Sequence, residues 1–109
     1  MHHLVALLLA AVTAPAFAAN YAACILDQMP SVANDVAAHA VHQVCLRENP
    51  EGLNAVEQGS GRGFFSFDSG AECTAKKAGE VRSNQAARMI GISCRKLYDA
   101  PNPYAKYKE

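Results

Sequence analysis

Two segments of the chain repeat apolar residues at the three- and four-residue intervals of an amphipathic helix. From Asp35 onward, one helical face holds Val36, Ala40, Val41, Val44 and Cys45. In the second segment, the corresponding face holds Ala86, Ile90, Ser93, Cys94 and Leu97. Arg88 and Arg95 fall on the opposite, outward side of this second helix. The pattern predicts two long helices, each with one buried face.

Capping residues predict where these helices begin and place a shorter helix before each of them. The caps of the long helices are Asn34 or Asp35 and Ser83 or Asn84. Asn20 is typical of the start of a short helix, which Pro30 would end. Ser69 and Glu72 form a capping box in front of a second short helix over 73–78. The predicted order is therefore short helix, long helix, short helix, long helix.

The two helix pairs resemble each other. Cys24 and Cys45 are 21 positions apart, as are Cys73 and Cys94, and a shift of 49 positions superposes the two pairs. The same shift places Val41 on Ile90. We therefore predict a mainly α fold of two disulfide-linked helical hairpins that form a pseudo-repeat. Their predicted contact is made by Val36, Val41, Val44, Ile90 and Leu97.

Between the hairpins the helical pattern stops, and a short connector rich in glycine and phenylalanine is predicted to be extended. It runs through Gly59-Ser60-Gly61-Arg62-Gly63 into Phe64-Phe65-Ser66-Phe67. A phosphate-binding loop is excluded, since the glycines lack the following Lys-Ser/Thr and precede no helix. The phenylalanines are expected to pack between the hairpins, or alternatively to expose Phe64 as an edge for a partner. Phe64, Arg62, Arg88 and Arg95 are the candidate partner-binding residues.

The four cysteines indicate disulfides. An even number of cysteines in a short exported chain is typical of a disulfide framework, and no C-x-x-C pair suggests a zinc or redox site. We favour the pairs Cys24–Cys45 and Cys73–Cys94, which link each hairpin to itself. The alternative joins the hairpins through Cys24–Cys94 and Cys45–Cys73. Such bonds matter in a small domain with no tryptophan.

The N-terminus predicts export. Residues 4–12 form a short apolar run, and Ala16-Phe17-Ala18 has the small residues of a cleavage site, so residues 1–18 are predicted to be a cleaved signal peptide. The run is too short to cross a membrane. An alternative is lipidation of Cys24, which would leave an odd number of cysteines. Residues 19–98 are then predicted to form one disulfide-bonded domain. Residues 99–109, which include two prolines, are predicted to be a flexible tail.

Charge argues against nucleic acid as a partner, because ten basic and ten acidic side chains cancel. The charge is nevertheless divided along the chain. Residues 19–72 hold seven acidic and two basic side chains, whereas residues 73–109 hold eight basic and three acidic ones. The two halves are expected to attract each other within the fold, and the alternative is a basic face for an acidic partner.

No catalytic motif is present. His39 and His42 lie one helical turn apart and could share a metal, but both are expected on the helix surface. A nucleophile elbow of the form G-x-S-x-G is absent. We therefore expect neither an enzyme nor a bound cofactor or metal.

The residues Cys24-Ile25-Leu26, Met29, Val32, Asp35, Ala37-Ala38, Cys45, Cys73 and Cys94 give the chain a resemblance to small four-cysteine exported bacterial proteins of unassigned function. The resemblance implies a periplasmic or secreted disulfide-bonded helical module and no particular activity. A non-enzymatic protein-binding module, of the inhibitor or immunity kind, is the leading hypothesis. A structural envelope protein and a small enzyme with an unrecognised site are the alternatives.

Overall fold

The computed structural model describes residues 20–102 and Tyr104. Its elements are α1 (Tyr21–Gln28), α2 (Asp35–Glu48), α3 (Gly70–Ala78) and α4 (Asn84–Tyr98), with single 3-10 turns at Met29–Ser31 and Gly52–Ala55. No strand occurs among the described residues. The predicted signal peptide, residues 1–18, lies outside them. The mainly α fold predicted from the periodicity is confirmed.

Each helix begins at a residue whose side chain accepts a hydrogen bond from the first turn. Asn20 accepts from the amide of Ala23, and Asn34 accepts from that of Ala37, both at 2.8 Å. Ser69 lies 49 positions after Asn20, and Ser83 lies 49 positions after Asn34. These two serines cap α3 and α4 in the same way. These side chains satisfy amides that have no partner inside the helix. The repeat is therefore visible in the caps as well as in the cysteines.

The two disulfides link the helices within each hairpin. Cys24–Cys45 joins α1 to α2 with a Cα–Cα distance of 5.7 Å, and Cys73–Cys94 joins α3 to α4 at 5.5 Å. The favoured pairing is therefore confirmed, and the pairing that would have linked the hairpins to each other is wrong. Each bond is expected to stabilise the fold by about 3 kcal/mol in the chain-entropy model.

Helix α4 is the central element of the fold and packs against the other three helices. All five residues predicted for its inner face are buried: Ala86, Ile90, Ser93, Cys94 and Leu97. Arg88 and Arg95 are exposed, as predicted. The apolar periodicity of the α4 sequence therefore identifies its inner face correctly.

The prediction for α2 is wrong in part. Val36 and Val44 were expected in the core, yet they are 82% and 42% exposed, while Val41 is half-buried. The buried positions are Cys45, as predicted, and Ala38, which was not predicted, whereas the predicted Ala40 is exposed. The disulfide to α1 fixes the rotation of α2, so the residues in line with Cys45 face inward and the valines on the neighbouring row face solvent.

The connector also differs from the prediction. Instead of an extended strand, residues 57–69 form successive turns and bends. Phe64 and Phe65 do not pack between the hairpins, and only Phe67 of the three contacts the core cluster. The hairpins meet directly, and Ser83 Oγ donates to Asp35 Oδ1 where the two long helices begin. Phe64 and Phe65 are therefore left outside the core.

The first residues of the predicted tail contact the domain. The carboxylate of Asp99 accepts a hydrogen bond from the Gly70 amide at 2.8 Å. A Cβ built on Gly59 would lie 2.9 Å from Cδ of Pro101, so the chain still touches the connector at that point. Of the segment 99–109, residues 103 and 105–109 lie outside the described part of the chain.

Candidate functional site at the end of the fourth helix

The glycine-rich connector caps the C-terminal end of α4. The last four carbonyls of a helix have no partner within it, and here the connector supplies one to each. The amides of Gly59 and Gly61 donate to the carbonyls of Lys96 and Leu97, at 2.8 and 2.9 Å. In a phosphate-binding loop, glycine amides of this kind would point toward a bound anion. Here they donate to helix carbonyls instead.

Two side chains of the connector complete this cap. Gln58 Nε2 donates to the carbonyl of Arg95 at 2.7 Å and to that of Asp99 at 3.0 Å. Arg62 Nη1 donates to the carbonyl of Tyr98 at 2.6 Å and to that of Asp68 at 3.2 Å. The Arg62 cation also lies where the helix dipole is negative. Arg62, a candidate partner-binding residue, thus already has two intramolecular acceptors.

Close approach to the helix explains why Gly61 is a glycine. A Cβ at this position would lie 2.8 Å from Cε1 of Tyr98 and 3.1 Å from Cβ of Leu97, nearer than side chains normally come. At Gly63, two residues later, a Cβ would meet nothing within 4 Å. The connector therefore touches α4 at Gly61 and has left its surface at Gly63.

Beyond Gly63 the connector exposes two adjacent aromatic rings, which we call the Phe64–Phe65 tip. Phe64 is 97% exposed and Phe65 is 106% exposed. Phe65 also has a φ of 66°, a left-handed conformation that bulky side chains rarely adopt. Backbone strain of this kind costs about 1–3 kcal/mol and occurs preferentially at functional sites.

The chain is fixed on both sides of the Phe64–Phe65 tip. Before it, Arg62 and Gly61 bind the end of α4 as described. After it, Ser66 Oγ donates to the Gly63 carbonyl at 2.8 Å, and the Phe67 ring packs edge-on against Tyr98 at a centroid distance of 5.2 Å. The two exposed rings therefore stand on a short, doubly anchored loop.

The other candidate arginines lie on α4 itself. Arg95 is in the last turn, close to the connector, and the Cβ position of Gly91 is 3.4 Å from its Nη1, so its side chain extends back along the helix. Arg88 lies two turns earlier, about 10 Å along the axis. The structure thus brings Arg62 and Arg95 to the end of α4 that carries the tip and places Arg88 further away.

The two histidines have different environments. His39 is exposed, but His42 is half-buried and its Nδ1 lies 2.6 Å from the hydroxyl of Tyr21. Burial raises the pKa of the Tyr21 hydroxyl above its ordinary value. The prediction of two surface histidines is therefore wrong for His42. Among the described residues, no group of three or more His, Cys, Asp or Glu side chains is placed to hold a metal ion.

A shallow groove of about 700 Å³ lies between the start of α1 and the segment that follows α2. Its floor includes Tyr21 and Val56, and its rim carries the carboxylates of Glu48, Glu51 and Glu57. The groove is open to solvent and gathers no histidine, cysteine or lysine. It holds acidic side chains from the acidic half of the chain but no recognisable catalytic arrangement.

Sequence reasoning did not identify Phe65 as part of the exposed tip. Strand alternation would have placed it beside Phe67, on the face opposite Phe64. The available signal was the glycine on the N-terminal side of the pair, which is more typical of a turn than of a strand.

The fold and this site define a small, mainly helical protein of two disulfide-linked hairpins that exposes an aromatic loop at the end of its central helix. No helix in the described part of the chain is long and apolar enough to span a membrane. Comparisons with protein-family models, with curated proteins and with solved structures give no match.

Proposed function

We propose that this chain is an exported, non-enzymatic module that binds another protein in the periplasm or outside the cell. An inhibitor or immunity-type partner of an envelope enzyme is the specific form that we favour. The observation that carries the proposal is the Phe64–Phe65 tip, where two large apolar rings are fully exposed on an anchored loop. Aromatic side chains, phenylalanine included, are enriched in the buried cores of protein–protein interfaces.

Export is supported by the state of the cysteines. All four are in disulfides and none is free. Disulfides persist in the periplasm and outside the cell but are rare in the reducing cytoplasm. The N-terminal sequence pattern gives the same placement independently.

The anchored loop favours binding because it reduces the entropy lost on association. Gly61 and Arg62 before the tip, and Phe67 after it, are held in the free protein, so few backbone torsions remain to be fixed. Burial of a phenylalanine ring in a partner's apolar pocket contributes about 1.5–3 kcal/mol, or roughly 10- to 100-fold in Kd. The two rings together would thus account for a large share of a micromolar affinity.

Photo-crosslinking in the native envelope tests this proposal directly. The photoreactive residue p-benzoylphenylalanine would replace Phe64, Phe65 or, as a matched control, the half-buried Phe67. We expect positions 64 and 65 to give a discrete cross-linked protein and position 67 to give none. If neither position of the tip forms a discrete adduct, the proposal is wrong and a structural envelope role becomes preferable.

The affinity of the identified partner then measures the contribution of the rings. We expect Phe64→Ala and Phe65→Ala each to raise Kd by roughly 10- to 100-fold, since both rings would lose their pocket. Ile92→Ala, at a partly exposed apolar position on α4, is the matched control and should leave Kd unchanged. Equal Kd values for the wild type and the double tip variant would refute the assigned surface.

A further inference from the structure

The groove between the start of α1 and the segment after α2, which we call the acidic groove, combines exposed apolar side chains with carboxylates. Pro50 and Ala55 line it and are exposed. Glu48, Glu51 and Glu57 also line it and are exposed. None of the described lining residues is a lysine, arginine or histidine. The acidic groove therefore suits a segment that brings both positive charge and an apolar side chain.

The C-terminal part of this chain passes directly beside the acidic groove. Gln58 Nε2 donates to the carbonyl of Asp99 at 3.0 Å. Two residues later, Cδ of Pro101 lies 2.9 Å from the Cβ position of Gly59. Glu57, which precedes these connector residues, lines the groove. The chain therefore leaves the domain close to the acidic rim.

The residues that follow have complementary chemistry. They are Ala105-Lys106-Tyr107-Lys108-Glu109, which we call the lysine segment. Because side chains alternate along an extended chain, Lys106 and Lys108 would share one side and Tyr107 would have the other. Lys106 is five residues after Pro101, and five extended residues span about 17 Å. The lysine segment is thus long enough to enter the groove beside which the chain passes.

We propose that the lysine segment of this chain docks in the acidic groove. The ring of Tyr107 covers Pro50 and Ala55, and the ammonium groups of Lys106 and Lys108 lie beside the rim carboxylates. The contact joins the basic half of the chain to its acidic half, as the division of charge along the sequence predicts. The Phe64–Phe65 tip is not part of the groove and stays free for another protein.

The tether selects the chain's own segment over a separate basic peptide. A segment joined to its site by a short linker has an effective concentration in the millimolar range, which a free peptide seldom reaches. Exposed ion pairs are individually weak and are screened by salt. We therefore expect reversible docking that is extensive at low ionic strength and decreases as salt is added.

Carbodiimide cross-linking of the oxidised chain tests the proposal, because this reagent joins a lysine amine to a carboxylate only where the two are in contact. At micromolar protein concentration and low salt, peptide mapping should find Lys106 or Lys108 joined to a glutamate of the rim. Lys76 and Lys77, in the last turn of α3, are the internal control and should not be joined to these glutamates. At 1 M salt, where the Debye length is about 3 Å, the yield should fall at least about threefold.

Two further measurements identify the occupant and the role of the ring. In a mixture of ¹⁵N-labelled and unlabelled chains, every such link should lie within one chain, and links between labelled and unlabelled chains would overturn the proposal in favour of a second copy. Tyr107→Ser should lower the yield at least about threefold, because the apolar contact is lost. Tyr104→Ser changes an exposed tyrosine outside the lysine segment and is the matched control, with an unchanged yield.

The amide spectrum of the folded protein gives a readout that does not depend on cross-linking. Lys106→Gln and Lys108→Gln together should shift the amide signals of Val56 and Glu57, while intact mass and circular dichroism show both disulfides and an unchanged fold. Unchanged signals at the groove, or cross-links from the lysine segment spread evenly over distant carboxylates such as that of Glu80, would overturn the proposal. Because all these assays use pure protein, either result leaves the test of the tip unaffected.

Discussion

Replacement of single glycines by alanine in the connector tests whether this segment is a structural cap of α4. Gly61 and Gly63 are two residues apart in the same connector, and both change by one methyl group. They differ in surroundings: the new Cβ would be 2.8 Å from the Tyr98 ring at position 61, whereas position 63 is open. The pair therefore separates contact with the helix from general effects of glycine replacement.

The magnitude of the Gly61→Ala effect follows from two contacts. Overpacking against Leu97 and Tyr98 is expected to cost about 1–3 kcal/mol, since the backbone of a helix end cannot move far. A shift of the connector would also lengthen the 2.9 Å hydrogen bond from the Gly61 amide to the Leu97 carbonyl, worth about 1 kcal/mol. We thus expect the free energy of unfolding to fall by about 2–4 kcal/mol. Gly63→Ala should change it by less than about 1 kcal/mol, and in the stabilising direction, because alanine restricts the unfolded chain.

Denaturant unfolding of the oxidised proteins, followed by circular dichroism, measures both values. Intact mass should first show that the two disulfides are formed in each variant. In thermal unfolding, each kcal/mol corresponds to about 4–8 °C in a domain of this size. Equal stability of Gly61→Ala and Gly63→Ala would contradict the capping role, and the connector would then be an ordinary loop.

Four further changes have expected outcomes. Gly91→Ala should raise the free energy of unfolding by about 0.5–1 kcal/mol in the same assay, because Gly91 is inside a helix and its Cβ would meet no atom nearer than 3.4 Å. Ser93→Ala should leave stability unchanged or raise it by about 1 kcal/mol, since the buried Ser93 hydroxyl has no hydrogen-bond partner among the described residues; a clear loss would reveal one. The raised pKa of Tyr21 predicts stability that is complete below pH 10.0 and lost as the pH rises through the pKa of the folded state, a dependence that Tyr21→Phe should weaken in alkaline unfolding curves. Mild reduction followed by alkylation and mass mapping should open Cys24–Cys45 before Cys73–Cys94, because only Cys24 of the four cysteines is partly exposed.

Periodicity predicted the hairpins well because the signals involved are local. Asn20 and Ser69 cap their helices through amides three residues away, and the inner face of α4 repeats within fifteen residues. A cap or an amphipathic face of this kind needs no knowledge of the rest of the chain. These were the features that the sequence analysis placed correctly.

The rotation of α2 could not be predicted in the same way. Its sequence offers two neighbouring apolar rows, one through Val36 and Val44 and one through Ala38, Val41 and Cys45. The predicted face combined the valines of the first row with Val41 and Cys45 of the second, because the local pattern does not separate the two rows. The choice was made by the disulfide from Cys45 to α1 and by the hydrogen bond between Tyr21 and His42, both of which depend on a partner 21 residues away.

The prediction of an extended connector was wrong for a related reason. Its glycines bind α4 through hydrogen bonds to residues about 36 positions later, such as that from the Gly61 amide to the Leu97 carbonyl. Nothing in the local sequence distinguishes such a cap from an extended linker. The exposure of Phe64 and Phe65 follows from the same contact, because a connector held at the end of a helix cannot bring its next residues into the core.

Folding and binding are assigned to different residues of the connector, and this separation makes both proposals testable. Gly61, Arg62 and Phe67 contact α4 and hold the loop. Phe64 and Phe65 contact nothing in the core, so their replacement removes no burial from the folded state. At position 65, replacement changes the strain only insofar as the new residue tolerates the left-handed backbone conformation better. A loss of partner binding in the tip variants therefore cannot be attributed to unfolding, whereas a loss in Gly61→Ala can. Natural chains seldom keep two adjacent exposed phenylalanines without use, since such residues add an aggregation hazard and no stability. The anchored loop holds the two exposed rings in a fixed geometry that a partner can match.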